Sequence, residues 1–288
     1  MSCIASIIVQ AYNHERTIEQ CLRSLFANAD PLKCEIIIHD DASTDRTREV
    51  ISSVVDAWGG EITLIYPEEN RLSRGHFFIE EILHQCRGEV IFWIEGDDFW
   101  WAESENRVER MSQALLENDK YAMVFTDTVK VDSQNGKVSR LLPEALKTEL
   151  SQRQLAHLEY AFLNVGACCF RNKKIVFPHE FFASTCKDLW LPMLWSEHGA
   201  ARYVDDGGVL VYQYHGEGTW SGRSPEDRQV IKAIFATQIM AYFLRRGLLD
   251  AIPKHLWRLE GLKSLSNQNL AAFPKKLDLT GHAICSLD

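Results

Sequence analysis

Short apolar runs alternate with amphipathic segments through the first hundred residues, and this alternation limits the folds that the chain can adopt. The apolar runs at 6–10, 35–39, 62–66 and 90–94 have the length of buried strands, and the segments between them carry apolar residues at helical spacing. Strands that alternate with helices form a mostly parallel sheet with helices on its faces. The run at 90–94 is apolar throughout, as a central strand requires. We therefore predict an α/β, Rossmann-like fold.

The pattern changes after residue 100. A helix near 105–117 is followed by strand candidates, and Asn135-Gly136 is a hairpin turn signal. The segment 151–163 is predicted to be helical, as is most of the chain after Ser224. We divide the chain into a first half of one α/β domain (1–100), a second half of the same domain (101–222) and a helical C-terminal extension (223–288).

The charge of the chain excludes one class of partner. Its net charge of −9 argues against nucleic acid, because proteins that bind the phosphate backbone carry a basic excess. The stretch from Arg228 to Lys276 is nevertheless rich in Lys and Arg, with Asp250 and Glu260 as its acids. Such a stretch forms either a solvated helical face or a peripheral contact with an anionic membrane surface.

The cysteines and the apolar segments bear on location. The eight cysteines include no C-x-x-C pair, which predicts reduced thiols and neither a zinc site nor a disulfide framework. The apolar run that begins at Ile4 is too short for a signal sequence and has no basic segment before it. No apolar stretch has the length of a membrane span. We therefore expect a cytoplasmic protein.

Acidic doublets follow two of the predicted strands. Asp40 and Asp41 come after the second strand, and Asp97 and Asp98 come after the fourth. Ligands of open parallel sheets bind beyond the carboxyl ends of the strands. A single acid at such a position can also cap the next helix, but paired acids favour a divalent cation, and oxygen ligands favour Mg²⁺ or Mn²⁺. Because the chain lacks a G-x-G-x-x-G or Walker A sequence, a bound diphosphate would need this metal to screen its charge.

Two motifs resemble a known family. The run from Ser6 to Asn13, followed by the run from His39 to Asp45, resembles the start of the family 2 glycosyltransferases, which have the GT-A fold. Here Gln10 stands where proline is usual, and Ala42 stands where glycine is usual. The run from Glu95 to Trp100 resembles a subgroup whose metal motif reads Glu-Gly-Asp-Asp, an aromatic residue and Trp. The resemblance is strong over about the first 115 residues and thinner beyond them.

The resemblance implies an enzyme that transfers a sugar from a nucleotide diphosphate donor, with UDP- or dTDP-sugars favoured. Residues 1–100 are then the half that binds the nucleotide sugar, and residues 101–222 are the acceptor and catalytic half. In the first half, Ala11 and Tyr12 lie against the base, and Asp40, next to Asp41, accepts a hydrogen bond from the pyrimidine imide. Arg74 reaches the donor phosphates, for which a guanidinium has the matching geometry.

The resemblance also implies the metal ligands. Asp97 and Asp98 bind Mn²⁺ or Mg²⁺, and Glu95 contacts either the ribose or the metal through water. His215 completes the metal shell or touches the diphosphate. Trp100, Trp101 and Trp220 are candidates for a wall that stacks on the sugar, and the competing interpretation is that Trp100 and Trp101 pack beneath the metal-binding loop.

Asp188 is the candidate general base. It would take the proton of an acceptor hydroxyl and so give inversion in one displacement. The segment around it is rich in large apolar residues, which would raise the pKa of a carboxyl group; an N-cap of the following helix is the competing interpretation. The family usually has Glu-Asp or Gly-Asp here, so Lys187 is a departure. The implied acceptor is a saccharide or lipid-linked glycan in surface polysaccharide assembly.

Two other functions stay open at this point. A nucleotidyltransferase shares the crevice and the acids, but it normally has a basic or glycine-rich loop near its first strand, and none follows Gln10. A non-catalytic protein that binds nucleotide sugars would keep the donor and metal sites without needing Asp188.

Overall fold

The computed structural model describes residues 3–72, 78–102, 106–158, 163–184, 186–216, 218 and 220–260. The strands in chain order are β1 (Ala5–Ala11), β2 (Cys34–Asp40), β3 (Glu61–Ile65), β4 (Val90–Glu95), β5 (Phe99–Ala102), β6 (Tyr121–Phe125), β7 (Asp127–Asp132), β8 (Val138–Arg140), β9 (Glu149–Leu150), β10 (Cys168–Arg171), β11 (Ala200–Tyr203) and β12 (Gly208–Tyr214). The helices are α1 (Ile18–Asn28), α2 (Thr47–Val54), α3 (Ile79–Gln85), α4 (Arg107–Leu116), α5 (Gln152–Ala156), α6 (His179–Phe182), α7 (Leu191–Trp195), α8 (Pro225–Arg246) and α9 (Pro253–Glu260).

Eight strands form the central sheet, in the order β3-β2-β1-β4-β10-β6-β11-β9. β1 is parallel to β2 on one side and to β4 on the other, and β2 is parallel to β3. This is the parallel, helix-connected half that the sequence predicts. Further along, β10 runs antiparallel to both β4 and β6, so the second half of the sheet is mixed. The predicted α/β class, a sheet flanked by helices, is confirmed.

A smaller sheet has the order β5-β12-β7-β8. β5 begins directly after Asp98 and pairs antiparallel with β12, which in turn is parallel to β7. β5 was not predicted from the sequence, because its residues continue an aromatic run without alternating polarity. Its pairing carries the end of β12 to the loop that follows β4.

The central sheet buries apolar residues on both faces. Ile7 and Val9 of β1 pack into one core with Leu22 of α1, whereas Ile8 packs into the other. These β1 residues are fully buried because successive side chains of a strand point to opposite faces. The predicted strands thus become the middle layer of three.

The region between β8 and β11 differs most from the sequence-based expectation. A helix was expected over 151–163, but α5 ends at Ala156; residues 159–162 lie outside the described part. Ser151 caps α5 together with Gln154 in a capping box. The short strands β9 and β11 were not predicted, since so few residues give no periodicity.

The C-terminal helices are part of the main core. α8 begins after the N-cap Ser224 and ends at Arg246, and its C-cap Gly247 has a φ of 71°, a conformation that favours glycine. Its residues Phe235 and Tyr242 pack into the core beneath the sheet. The predicted helical extension is confirmed as far as residue 260, and 261–288 lie outside the described residues.

Basic side chains of α8 have partners within the fold. Arg245 binds Glu180 through two hydrogen bonds of 2.9 and 2.6 Å, and Arg246 binds Glu197. These two charges therefore stabilise the packing of α8, and the membrane contact of the basic segment stays a prediction. Over the described residues, no helix combines the length and the apolar character needed to cross a membrane. The cysteines in that part of the chain form no disulfide bonds.

His255 makes folding stability sensitive to acid. Its imidazole is buried, lies 2.9 Å from the carbonyl oxygen of Ala156 and contacts Arg258, and burial lowers its pKa from 6.5 to about 4. Unfolding lets the ring take up a proton, so its contribution is complete above pH 6.5 and is lost as the pH falls toward 4. Because of this histidine, we expect the free energy of unfolding to fall by about 1 to 2 kcal/mol when the pH is lowered from 7 to 5. Urea unfolding of wild type and His255→Gln measures it, and equal pH slopes would contradict the prediction.

Candidate active site

The candidate site lies beside β1, where the order of the strands in the sheet reverses. Because β2 and β4 flank β1 on opposite sides, the loops after β1 and β4 open a crevice at the carboxyl ends of these strands. The N–H of Gly96 donates to the carbonyl of Gln10 over 2.8 Å, which joins the two loops. A Cβ at Gly96 would come within 2.7 Å of Ile18 Cδ1 and 2.8 Å of His14 Nδ1. Glycine is thus required here for close packing, and it brings the next residue, Asp97, to His14.

Asp97 is the centre of the site. Its Oδ2 lies 3.0 Å from Nε2 of His215 and 3.7 Å from Nε2 of His14. Burial would raise the Asp97 pKa, but the hydrogen bond from His215 and the charges of both histidines outweigh this effect, so the pKa lies below its ordinary value. Asp97 therefore carries a negative charge between two imidazoles.

Asp98 faces the protein. It is 1% exposed, and its Oδ1 accepts a hydrogen bond of 3.0 Å from the N–H of Gln213. The Gln213 side chain also donates to the carbonyl of Asp97 over 2.7 Å, so β12 holds residues 96–98, named the metal loop after the predicted role of Asp97 and Asp98, at two points. Asp98 Oδ2 has no hydrogen-bond partner among the described residues. Burial and the charges of Asp97 and Glu95 raise the pKa of Asp98 well above its ordinary value.

The structure brings Asp188 together with these acids. Burial, followed by the charges of Asp97 and Asp188, raises the pKa of Glu95 well above its usual range. Asp188 is exposed to solvent in the structure, yet desolvation by the protein around it raises its pKa. Burial first, and then the charges of all four acids, raise the pKa of Tyr212 on β12. The acids of residues 95–98, Asp188 and β12 therefore lie near one another.

The chemistry of these donors fits a hard divalent cation. Asp97 and His215 present oxygen and nitrogen atoms 3.0 Å apart, a separation that two neighbouring ligands of one ion can have. The buried carboxylate of the next residue, Asp98, has a further oxygen without a hydrogen-bond partner among the described residues. No group of three or more His, Cys, Asp and Glu among the described residues has the arrangement of a complete metal site. A bound Mg²⁺ or Mn²⁺ would thus share its shell with water and phosphate, which is how Mg²⁺ is usually held.

The loops after β1 and β2 are joined by side chains of both predicted motifs. Asn13 Oδ1 accepts from the N–H of Thr44 over 2.8 Å, and its own N–H donates to Ser43 Oγ over 2.8 Å. The N–H of His14 donates to Thr47 Oγ1 over 2.8 Å. The motif residues therefore fix the shape of this loop pair as well as its surface.

The acidic doublet after β2 is buried in the same loop pair. Asp40 is fully buried and binds Ser43 and Arg48, with Arg48 Nε 2.5 Å from its Oδ1. Asp41 accepts hydrogen bonds of 2.8 and 2.9 Å from the N–H groups of Arg71 and Leu72. Both carboxylates thus organise loops in this structure, and contact of Asp40 with a base would require the surrounding loop to open, because Asp40 is fully buried. The nucleotide-binding roles of Asp40 and Asp41 stay predictions.

Of the other residues predicted to contact the donor, the structure buries some and exposes others. Ala11 is fully buried at the end of β1, whereas Tyr12 is 36% exposed at the crevice. Arg74 lies outside the described residues. Trp100 is a packing residue, because it is 3% exposed and its indole N–H donates to the carbonyl of Gly166 over 2.9 Å. Trp101 is 52% exposed, so it alone of this pair presents its ring to solvent.

Two residues of the site, His14 and Gln213, were not predicted from the sequence. His14 follows the Tyr-Asn pair in the loop after β1, so its place beyond a strand at the switch point was a usable signal. Gln213 precedes the end of β12, and no local pattern indicates that it contacts the metal loop more than a hundred residues earlier.

The backbone conformation of Ala42 explains why glycine is usual at this position. Its φ of 61° lies in the left-handed region, which costs residues other than glycine about 1 to 2 kcal/mol. We expect Ala42→Gly to raise the free energy of unfolding by about 0.5 to 1 kcal/mol, since glycine also loses more backbone entropy on folding. The matched control is Ala27→Gly on the exposed face of α1, which should lower stability by a similar amount. Urea unfolding should give opposite signs, and a loss of stability in both variants would contradict the assignment of strain to Ala42.

Sequence comparison identifies the family to which this chain belongs. Residues 6–177, more than half of the chain, match the sequence profile described as Glycosyl transferase family 2. The uncharacterized protein Rv1520 of Mycobacterium tuberculosis is 23% identical over 231 residues, which cover 78% of this chain and 62% of Rv1520. The chain therefore spans less than two thirds of the length of this relative.

Structural comparison gives the same fold. Residues 1–349 of S. aureus TarS, crystallised in complex with UDP-GlcNAc, superpose with a TM-score of 0.63 at 19% identity, over 93% of this chain and 77% of that TarS chain. The mannosyltransferase PcManGT from Pyrobaculum calidifontis, in complex with GDP-Man and Mn²⁺, superposes with a TM-score of 0.59 at 15% identity, over 94% of this chain and 79% of PcManGT. At these identities the likeness establishes the shared fold, and the predicted GT-A class is confirmed.

Proposed function

This chain belongs to glycosyl transferase family 2, and we propose that it transfers a sugar from a nucleotide diphosphate donor to a hydroxyl group of a saccharide or lipid-linked glycan, with inversion at the anomeric carbon. The observation that carries the proposal is the meeting of Asp97, His215 and Asp188 at the switch point of the sheet. UDP- and dTDP-sugars are the favoured donors, and a place in surface polysaccharide assembly is the expected setting.

The donor would lie across the loops after β1 and β2, with its diphosphate at Asp97. Mn²⁺ or Mg²⁺ held by Asp97 and His215, with Asp98 beside them, would stabilise the charge of the departing nucleoside diphosphate. The ligands of the structural neighbours support this arrangement, because TarS was crystallised with UDP-GlcNAc and PcManGT is in complex with GDP-Man and Mn²⁺. His14, at 3.7 Å from Asp97, is a further imidazole facing the same carboxylate.

Asp188 would act on the acceptor. As the acceptor oxygen attacks the anomeric carbon, the bond from that carbon to the diphosphate oxygen breaks and the hydroxyl proton passes to Asp188. The raised pKa of Asp188 makes its carboxylate a stronger base than an ordinary aspartate. Its exposure leaves the carboxylate reachable by an acceptor hydroxyl, as the role of base requires.

A thermal-shift panel of UDP-, dTDP- and GDP-sugars, with and without Mn²⁺, tests the proposal. A donor at a hundred times its Kd should raise the Tm by about 5 °C, since it adds about 2.7 kcal/mol to the stability of the folded state. We expect this shift for UDP- or dTDP-sugars, only with metal, and not in Asp97→Asn. A shift that is equal without metal would reject the metal role of Asp97, and no shift with any nucleotide sugar would reject the function.

A further inference from the structure

Lys187 is a buried lysine directly before the proposed base. Its side chain is 8% exposed, and Nζ donates to the carbonyls of Phe181, Phe182 and Ser184 over 3.0, 2.8 and 2.9 Å. An ammonium group has three N–H donors, and each of them has an acceptor here. Burial of a lysine is costly without such partners, so these contacts hold the side chain in place.

The three carbonyls belong to the end of α6 and the turn after it. The last carbonyls of a helix have no partners within the helix, and a cation is favourable at this end. The carbonyl of Ala183, which lies between them, accepts a hydrogen bond of 2.6 Å from the Gln238 side chain of α8. The carbonyls of residues 181–184 are thus each bound by a side chain, and the turn before Asp188 is tied to the core.

A second anchor lies on the other side of Asp188. Trp190 is fully buried, and its ring meets those of Phe181, Phe235 and Tyr242 at steep angles. Its backbone N–H donates to the carbonyl of Lys187 over 3.1 Å. The exposed Asp188 therefore stands between two buried side chains, Lys187 and Trp190.

We propose that Lys187 is a positioning residue for Asp188: by binding three carbonyls of the preceding turn, it fixes the point from which the carboxylate reaches the acceptor hydroxyl. The proposal rests on the proposed function, in which Asp188 is the base. It also gives a physical use to the lysine that replaces the usual acid or glycine of the family. Lys187 needs no contact with either substrate for this role.

Lys187→Met tests the proposal, because methionine keeps the unbranched apolar stem and removes the ammonium. We expect kcat per donor-binding site to fall about 10- to 100-fold, since small misplacements of catalytic groups cost that much, while donor affinity is unchanged. Lys187→Arg keeps the charge and several N–H donors, and it should recover part of the loss. The matched control is Lys174→Met on the exposed surface, which should turn over as wild type does.

A folded Lys187→Met variant with wild-type kcat would overturn the proposal. So would a fall in activity that only matches the fall in donor-binding sites, because that is the mark of lost folding. If Lys187→Met does not fold, Lys187→Gln, which keeps an amide donor, is judged by the same two criteria. Asp188→Asn separates the hypotheses: wild-type turnover in that variant rejects the base itself, whereas an inactive Asp188→Asn beside an active Lys187→Met rejects only the role of Lys187.

Discussion

Replacing Asp188 by asparagine should lower kcat by about 100- to 10,000-fold, because the amide keeps the shape of the side chain but cannot accept the acceptor proton at the rate of a carboxylate. Donor binding should be unchanged, since the hydrogen bonds that hold the metal loop come from Gln213 and His215 rather than from Asp188. The measurement is steady-state transfer with the donor identified by the thermal-shift panel.

Asp56→Asn, on the exposed turn after α2, is the control for the loss of one carboxylate, and it should leave kcat unchanged. Wild-type kcat in Asp188→Asn would remove the base assignment and leave a donor-binding protein whose chemistry depends on another residue. The same experiment therefore decides between an enzyme that uses Asp188 and the non-catalytic alternative.

Replacing Arg107 by methionine should lower the free energy of unfolding by about 3 to 5 kcal/mol, because it leaves a buried carboxylate without its cation. Arg107 and Asp206 are both fully buried at the side chain, and the guanidinium lies 2.9 Å from both carboxylate oxygens. It also donates to Thr126 over 2.6 Å and lies over the ring of Trp100, behind the metal loop. Urea unfolding gives the magnitude.

Two further variants distinguish the effect of breaking this buried ion pair from the effect of removing an exposed charge. Arg153→Met breaks an exposed pair with Asp250 and should cost less than about 1 kcal/mol. The double variant Arg107→Met with Asp206→Leu removes both charges and should recover much of the stability, since apolar replacement of a complete buried pair is often neutral. A small loss in Arg107→Met alone would show that water or rearrangement satisfies Asp206.

Much of the first half of the fold was predictable from the sequence. β1 to β4 alternate with helices, and their apolar runs are long enough to identify each strand to within about two residues. Parallel strands place the residues that follow β2 and β4 at the same edge of the sheet, so the sequence predicts Asp40 and Asp97 at one crevice, and their roles there stay predictions. Local periodicity and the rules of parallel sheets carry this information.

The tertiary structure decided which atoms meet. His215 contacts Asp97, 118 residues away in the sequence, because β12 pairs with β5. The local sequence pattern did not predict β5. Gln213 and the buried Arg107–Asp206 pair likewise depend on strand pairing and helix packing between distant segments. Lys187 departs from the usual family motif, and only the tertiary structure gives its ammonium group three carbonyl partners. The sequence by itself determined the strands and their acidic ends, whereas only packing between distant residues decided the partners, burial and charge of the acids.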